Sequence, residues 1–214
     1  MLGEVRTVAN VPQAFAALVA ETAPTSIALS GGETARECYE LLATIDTGWD
    51  AVDVFFGDER WVPVHDPDSN EGMARVTFLD EVEPRSIHGM YVPGLTPEQG
   101  AAAYDELVRS TPPIALVHLG LGPDGHTASL FPGSPTLDET ERLVVTAGDE
   151  LHPHPRLTFT FPAIERAELV VVTVAGADKR DALARVQRRD DVPAARLPGE
   201  HLVWLVDEAA FSES

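Results

Sequence analysis

The chain lacks three things that would each have pointed to a class of protein. It has a single cysteine, Cys38, in 214 residues, so it can form no intrachain disulfide, which fits a reducing compartment. It is short of positive charge: 15 Lys and Arg stand against 35 Asp and Glu, a formal net charge of −20. A surface of that sign repels nucleic-acid phosphates and anionic lipid, and so argues against both as partners. It also has no apolar run near the roughly 20 residues that a membrane-spanning helix needs. The opening stretch Met1–Gln13 is polar and partly acidic, where a secretory signal would be basic and then apolar. These absences predict a cytoplasmic protein, a monomer or small homo-oligomer, whose partner is a small molecule.

What is present is ordinary globular sequence, 44 % apolar and 23 % charged, enough for one well-buried domain over residues 1–214. Short apolar runs alternate with helical periodicity. Strands are predicted at Val5–Val8, Ser26–Leu29, Val52–Phe56, Ile114–Leu119, Leu143–Thr146, Leu157–Phe161, Leu169–Ala175 and Val203–Val206. Helices are predicted at Pro12–Glu21, Thr34–Leu42, Asn70–Leu79, Pro97–Arg109 and Ala177–Arg188, with Gly57–Ser69 as a polar loop. Several strands are continuous apolar runs, which implies an α/β fold with a largely parallel, Rossmann-like sheet covered by helices. Cys38 falls in a helical pattern and reads as a small buried hydrophobe.

In such folds ligands bind beyond the carboxyl ends of the strands, and four segments there carry chemistry. Ser30-Gly31-Gly32-Glu33-Thr34 joins a strand to a helix. Its glycines can expose amides to an anion at the helix start, or the segment is simply a flexible cap. Gly57-Asp58-Glu59-Arg60 offers two carboxylates and a guanidinium, to serve as base and anion clamp or as a surface ion-pair cluster. Ser69-Asn70 reads as a helix N-cap. Gly120-Leu121-Gly122-Pro123-Asp124-Gly125-His126-Thr127 puts three glycines within six residues and a carboxylate two residues before a histidine. Histidine titrates near neutrality, so an imidazole oriented by a carboxylate suits general-base work. Arg156 and Lys179 are scarce cations near strand ends, either ligand-binding or solvated. His152-Pro153-His154 with His126 lacks strong metal-ligand spacing, and no metal site is expected. No nucleophile elbow or phosphate-binding P-loop is present; a hydrolase of this sequence would use water as its nucleophile.

Together these segments resemble the 6-phosphogluconolactonase family, which shares its fold with glucosamine-6-phosphate deaminase. The resemblance runs along nearly the whole chain: Leu29–Gly32, Gly57–Arg60, Ser69-Asn70, Leu119–Gly133, Arg156–Thr158 and Gly176–Lys179. Its discriminating part is Thr127-Ala128-Ser129-Leu130-Phe131-Pro132, together with Arg60 after Glu59, where the deaminases typically read differently. The resemblance implies hydrolysis of 6-phosphoglucono-1,5-lactone without metal or organic cofactor. It assigns His126 as base, Asp124 as its support and Arg60 to charge stabilisation. It places the phosphorylated sugar lactone against Ser30, Gly31, Gly32, Asp58, Arg156 and Lys179. A deaminase or isomerase on the same scaffold, with Asp58 or Glu59 moving a carbon-bound proton, and a non-catalytic sugar-phosphate sensor are the competing readings. Two residues depart from the family pattern. Glu33 stands in the first loop and is expected to point away from any phosphate, and His118 lies in a strand, where a packed core histidine is expected.

Overall fold

The structure, a computed structural model, describes residues 1–45, 48–148 and 153–211. Seven parallel strands form the main sheet: β1 (Glu4–Val8), β2 (Ser26–Leu29), β3 (Asp53–Phe56), β5 (Ser86–Ile87), β6 (Leu116–Gly120), β9 (Val170–Val174) and β10 (Leu202–Asp207). Their order is β1-β10-β9-β6-β2-β3-β5. The interior strands are apolar throughout because helices cover both faces; every residue of β9, Val-Val-Val-Thr-Val, is buried. The helices α1 (Val11–Thr22), α2 (Glu33–Leu42), α5 (Pro97–Ser110) and α7 (Arg180–Arg188) each bury an apolar face, and α1 and α2 pack directly on the main sheet. Asn10 caps α1 by accepting from Gln13 N, and a Thr96–Gln99 capping box opens α5; each such cap stabilises its helix by about 1 kcal/mol.

The order of the strands places the site. From β2 the chain adds β3 and β5 on one side, then returns to lay β6, β9 and β10 on the other. The connections leaving β2 and β6 therefore diverge, and a crevice opens between them at the carboxyl end of the sheet.

The predicted polar loop Gly57–Ser69 proves to contain a strand, β4 (Asp58–Arg60). It pairs antiparallel with β8 (Arg156–Phe159), which pairs antiparallel with β7 (Val144–Ala147). The strands expected at Leu143–Thr146 and Leu157–Phe161 thus build a separate three-stranded sheet and do not extend the parallel one. The helix expected at Asn70–Leu79 is α3 (Asn70–Ala74), followed by a π-helical turn at Arg75–Leu79 and α4 (Asp80–Val82). Phe161, expected at the end of a strand, instead begins a short helix, α6 (Phe161–Glu165), with Pro162 in its first turn. Ala177–Lys179 is a 3₁₀ turn leading into α7.

Candidate active site

A cavity of about 220 Å³ lies over the crevice between β2 and β6. The loop after β2, the loop after β6, β4, Asn70, Arg156 and Lys179 line it. Every predicted site residue except Asp124 is among the lining residues, and Asp124 supports one that is.

The loop after β2 is shaped for close approach. Gly32 has φ +95°, which a side chain would strain, and a Cβ on Gly31 would lie 2.0 Å from Asn70 Oδ1. Gly32 is the N-cap of α2 and carries no side-chain cap, so the first amides of that helix, with its dipole, face the cavity. Glu33 sits at the rim. Its carboxylate turns along α2 to Arg36 Nε, 3.7 Å away, and its side chain is 72 % exposed.

Strand alternation separates the three charged residues of β4. Asp58 and Arg60 line the cavity, while Glu59 points the other way. Glu59 accepts four hydrogen bonds: from Arg60 N and Asn70 N on Oε1, and from Glu71 N and Ser69 Oγ on Oε2, all within 3.0 Å. Burial pushes its carboxyl up to about 7, against those four donors. Glu59 thereby fixes the Ser69–Glu71 turn and delivers Asn70 to the site. Ser69 is the N-cap expected there, accepting from Gly72 N. The Asp58 carboxylate is fully engaged: Oδ2 accepts from Ser129 Oγ at 2.6 Å and Oδ1 from Asn70 Nδ2 at 3.3 Å.

Arg60 donates from Nη1 to Asp68 O (2.7 Å) and Asn70 Oδ1 (3.0 Å). It is directly opposite Arg156 in the β4–β8 pair, and like charges in that position repel. The Nε atoms of both arginines are buried without a hydrogen-bond partner among the described residues. Burial and then Arg60 lower the Arg156 pKa. Lys179, also on the cavity, pairs with the exposed carboxylate of Asp178, at 3.5 Å. An acidic protein has concentrated three cations at one cavity, two of them with a buried unpaired Nε, an arrangement that calls for an anionic ligand.

At the same cavity, His126 Nδ1 is 2.6 Å from Asp124 Oδ1, which also accepts from the His126 amide at 3.1 Å. A carboxylate accepts only, so Nδ1 carries the proton and Nε2 is left as the basic nitrogen. Partial burial raises the Asp124 carboxyl, but the His126 amide and imidazole outweigh it and leave Asp124 below its ordinary value. Gly122 makes room for the ring: a Cβ there would lie 2.1 Å from His126 Nδ1 and Cε1. The second half of the motif locks the first in place. Thr127 Oγ1 donates to Gly120 O (2.9 Å), Ser129 ties the loop to Asp58, and Phe131 packs 4.9 Å from the His126 ring and 5.5 Å from the Arg156 guanidinium. Ala128, between them, lines the cavity in the left-handed region, φ +48°.

His118 is a core histidine, as expected: it is fully buried, stacked 4.1 Å from Phe15, and its pKa is lowered to about 3 by burial. Cys38 is buried and its thiol is pushed up to about 12, mainly by desolvation. His154 pairs with Asp68 at 3.1 Å, and His152 lies outside the described residues. Asn70, Ser129 and Thr173 are site residues that sequence reasoning did not single out as lining or bracing the cavity. A small polar residue directly before Leu130, between apolar neighbours, was the available signal for Ser129.

A parallel α/β sheet with a cationic, glycine-shaped cavity at its switch point, and an imidazole held by a carboxylate beside it, defines an α/β protein built to take an anion. Residues 5–204 match the family of Glucosamine-6-phosphate isomerases/6-phosphogluconolactonase, and the chain belongs to it. It is 42 % identical to a 6-phosphogluconolactonase of Synechocystis over 90 % of this chain and 85 % of that one. With a 6-phosphogluconolactonase of Caulobacter vibrioides it shares 38 % identity, over 79 % of this chain and 77 % of the other. The solved 6-phosphogluconolactonase of Trypanosoma brucei superposes with a TM-score of 0.83 at 28 % identity, covering 97 % of each chain. A monomeric glucosamine-6-phosphate deaminase reaches the same TM-score at 20 % identity, which speaks to the shared fold alone.

Proposed function

We propose that the protein hydrolyses 6-phospho-D-glucono-1,5-lactone to 6-phospho-D-gluconate in the oxidative pentose phosphate pathway, with His126 as general base. The observation that carries this reading is the imidazole whose Nδ1 is held by Asp124 at 2.6 Å, lining one cavity with two guanidinium groups whose Nε atoms are unpaired. The relatives named as 6-phosphogluconolactonases, matched over most of their length, support the choice of substrate.

In this mechanism the phosphate meets the Ser30 hydroxyl and the amides of Gly31 and Gly32 together with Arg156 and Lys179, which fixes the sugar ring at a distance from the reacting carbon. His126 Nε2 takes a proton from a water as that water attacks the lactone carbonyl. The electron pair of the carbonyl moves to its oxygen, where Arg60 stabilises the negative charge; one such donor is commonly worth about 3 kcal/mol. Collapse reforms the carbonyl and breaks the bond to the ring oxygen, which receives the proton from His126. Asp124 balances the imidazolium between the two transfers. The net charge of −20 supports a dissolved small molecule as partner over nucleic acid or a membrane surface, and among the described residues no helix is long and apolar enough to cross a membrane.

The isomerase or deaminase reading asks Asp58 or Glu59 to move a proton. Asp58 has both oxygens bonded to protein and Glu59 faces away from the cavity, so neither is placed for it. The test is a coupled assay of lactone disappearance, corrected for spontaneous hydrolysis, run beside an assay of ammonia release from glucosamine 6-phosphate. Lactone turnover without ammonia is expected; ammonia release, or no catalysed lactone loss, overturns the reading.

A further inference from the structure

Beneath the cavity a buried chain of polar groups links three elements. Tyr39 Oη, from α2, accepts from Ser30 N at 2.7 Å and lies 2.9 Å from His118 Nδ1 and 3.2 Å from Ser30 O. His118 Nε2, from β6, lies 2.9 Å from Thr173 Oγ1, from β9. Tyr39 and His118 are fully buried; Thr173 is 3 % exposed, and its exposed edge is on the cavity. No other side-chain hydrogen bond of Thr173 is present among the described residues.

Each hydroxyl has one proton, so the chain has two consistent directions. In one, Tyr39 donates to Nδ1, Nε2–H donates to Thr173, and the Thr173 proton is left to point into the cavity. In the other, Thr173 donates to Nε2, Nδ1–H donates to Tyr39, and Tyr39 donates to Ser30 O, leaving only a lone pair of Thr173 toward the ligand. The second direction needs Tyr39 to donate to Ser30 O, and the 3.2 Å between them is long for an O–H···O bond, which favours the first. So does an anionic ligand, whose oxygens need donors and are repelled by a lone pair. A buried imidazole that stays neutral can hold this direction without adding charge.

We infer that Thr173 is a further ligand-binding residue, donating its hydroxyl proton to an oxygen of the bound phosphosugar, and that His118 is the positioning residue that keeps it a donor as the Nε2–H tautomer. This rests on the phosphosugar-lactone reading above. The same chain also holds the Ser30 backbone, so the first loop and the cavity floor are set by one network.

The test uses Thr173→Val, which keeps the shape and removes the donor, and Thr173→Ser, which keeps the donor. For Thr173→Val the Kd of 6-phosphogluconate and the KM of the lactone should each rise about tenfold, as expected for a lost hydrogen bond to a charged oxygen, with kcat within twofold. Thr173→Ser should bind within about threefold of wild type. Nitrogen-15 NMR of His118 in the wild-type product complex should show Nε2 protonated. Unchanged binding by Thr173→Val, or a protonated Nδ1 in the wild-type complex, overturns the inference and leaves the lactonase reading intact. If Thr173→Val does not fold, the NMR result alone decides. Wild-type protein that neither binds 6-phosphogluconate nor accelerates lactone hydrolysis overturns both.

Discussion

Replacing Asp124 by Asn separates two things the carboxylate does for His126, orienting the ring and balancing its charge. Orientation should survive. Oδ1 accepts from both the His126 amide (3.1 Å) and Nδ1 (2.6 Å), so two donors hold the Asn oxygen, and not its NH₂, toward the ring. What disappears is the attraction between a carboxylate and the imidazolium formed during attack. Two unit charges about 4 Å apart interact by roughly 1 kcal/mol in water and about 4 kcal/mol near a protein surface. The side chains here are 28 % and 47 % exposed, so solvent screens the pair and the lower part of that range applies, about 1–2 kcal/mol. The kcat of lactone hydrolysis should therefore fall about 5- to 30-fold with KM within twofold. Asp124→Ala, which also frees the ring, should lose about a hundredfold or more. Steady-state kinetics at pH 7.5, corrected for spontaneous hydrolysis, make the measurement. Full activity in Asp124→Asn, or a loss as deep as that of Asp124→Ala, refutes the division between charge and orientation.

Gly122→Ala puts a Cβ 2.1 Å from the His126 ring, so kcat should drop about a hundredfold while circular dichroism stays native; a displaced imidazole in a crystal structure of the variant would locate the cause. Arg156→Leu removes a cation that sits opposite Arg60, so KM should rise about 10- to 100-fold with no loss in melting temperature, and a destabilised variant with unchanged KM would show Arg156 to be structural. His118 has a folded-state pKa lowered to about 3, below the 6.5 of the unfolded chain. The unfolded state alone takes up this proton between those values, so stability is lost as pH falls through 6.5, by up to about 1.4 kcal/mol per pH unit. Urea unfolding at pH 7 and pH 5 should show about 2 kcal/mol more loss in wild type than in His118→Gln, and equal losses would exclude His118 as the titrating group.

The main sheet was legible because covered parallel strands are written as short apolar runs, and Ser26–Leu29, Leu169–Ala175 and the run before Gly120 all stand out that way. The loops after β2 and β6 were legible for a related reason, since backbone that must approach a ligand is rich in glycine. β4 was not legible. Asp58-Glu59-Arg60 is wholly charged, and its strand exists because Glu59 is satisfied by Arg60 N and by three donors of the Ser69–Glu71 turn, and Asp58 by Asn70 and the distant Ser129. The opposition of Arg60 and Arg156 across 96 positions of sequence is a matter of register, which no local pattern reports. The same holds for Thr173, which reads as one more β-branched residue in a buried strand until His118 is seen beside it. The Asp124–His126 pair needed the least help, because a two-residue spacing in a glycine turn nearly dictates the contact.

The central claim, that His126 is the base of a lactonase, is tested most directly by the His126→Ala variant in the lactone assay with 6-phosphogluconate binding measured alongside. The account predicts that the variant binds the product within a few-fold of wild type and loses at least about a thousandfold in kcat. A variant that hydrolyses the lactone at the wild-type rate would contradict it.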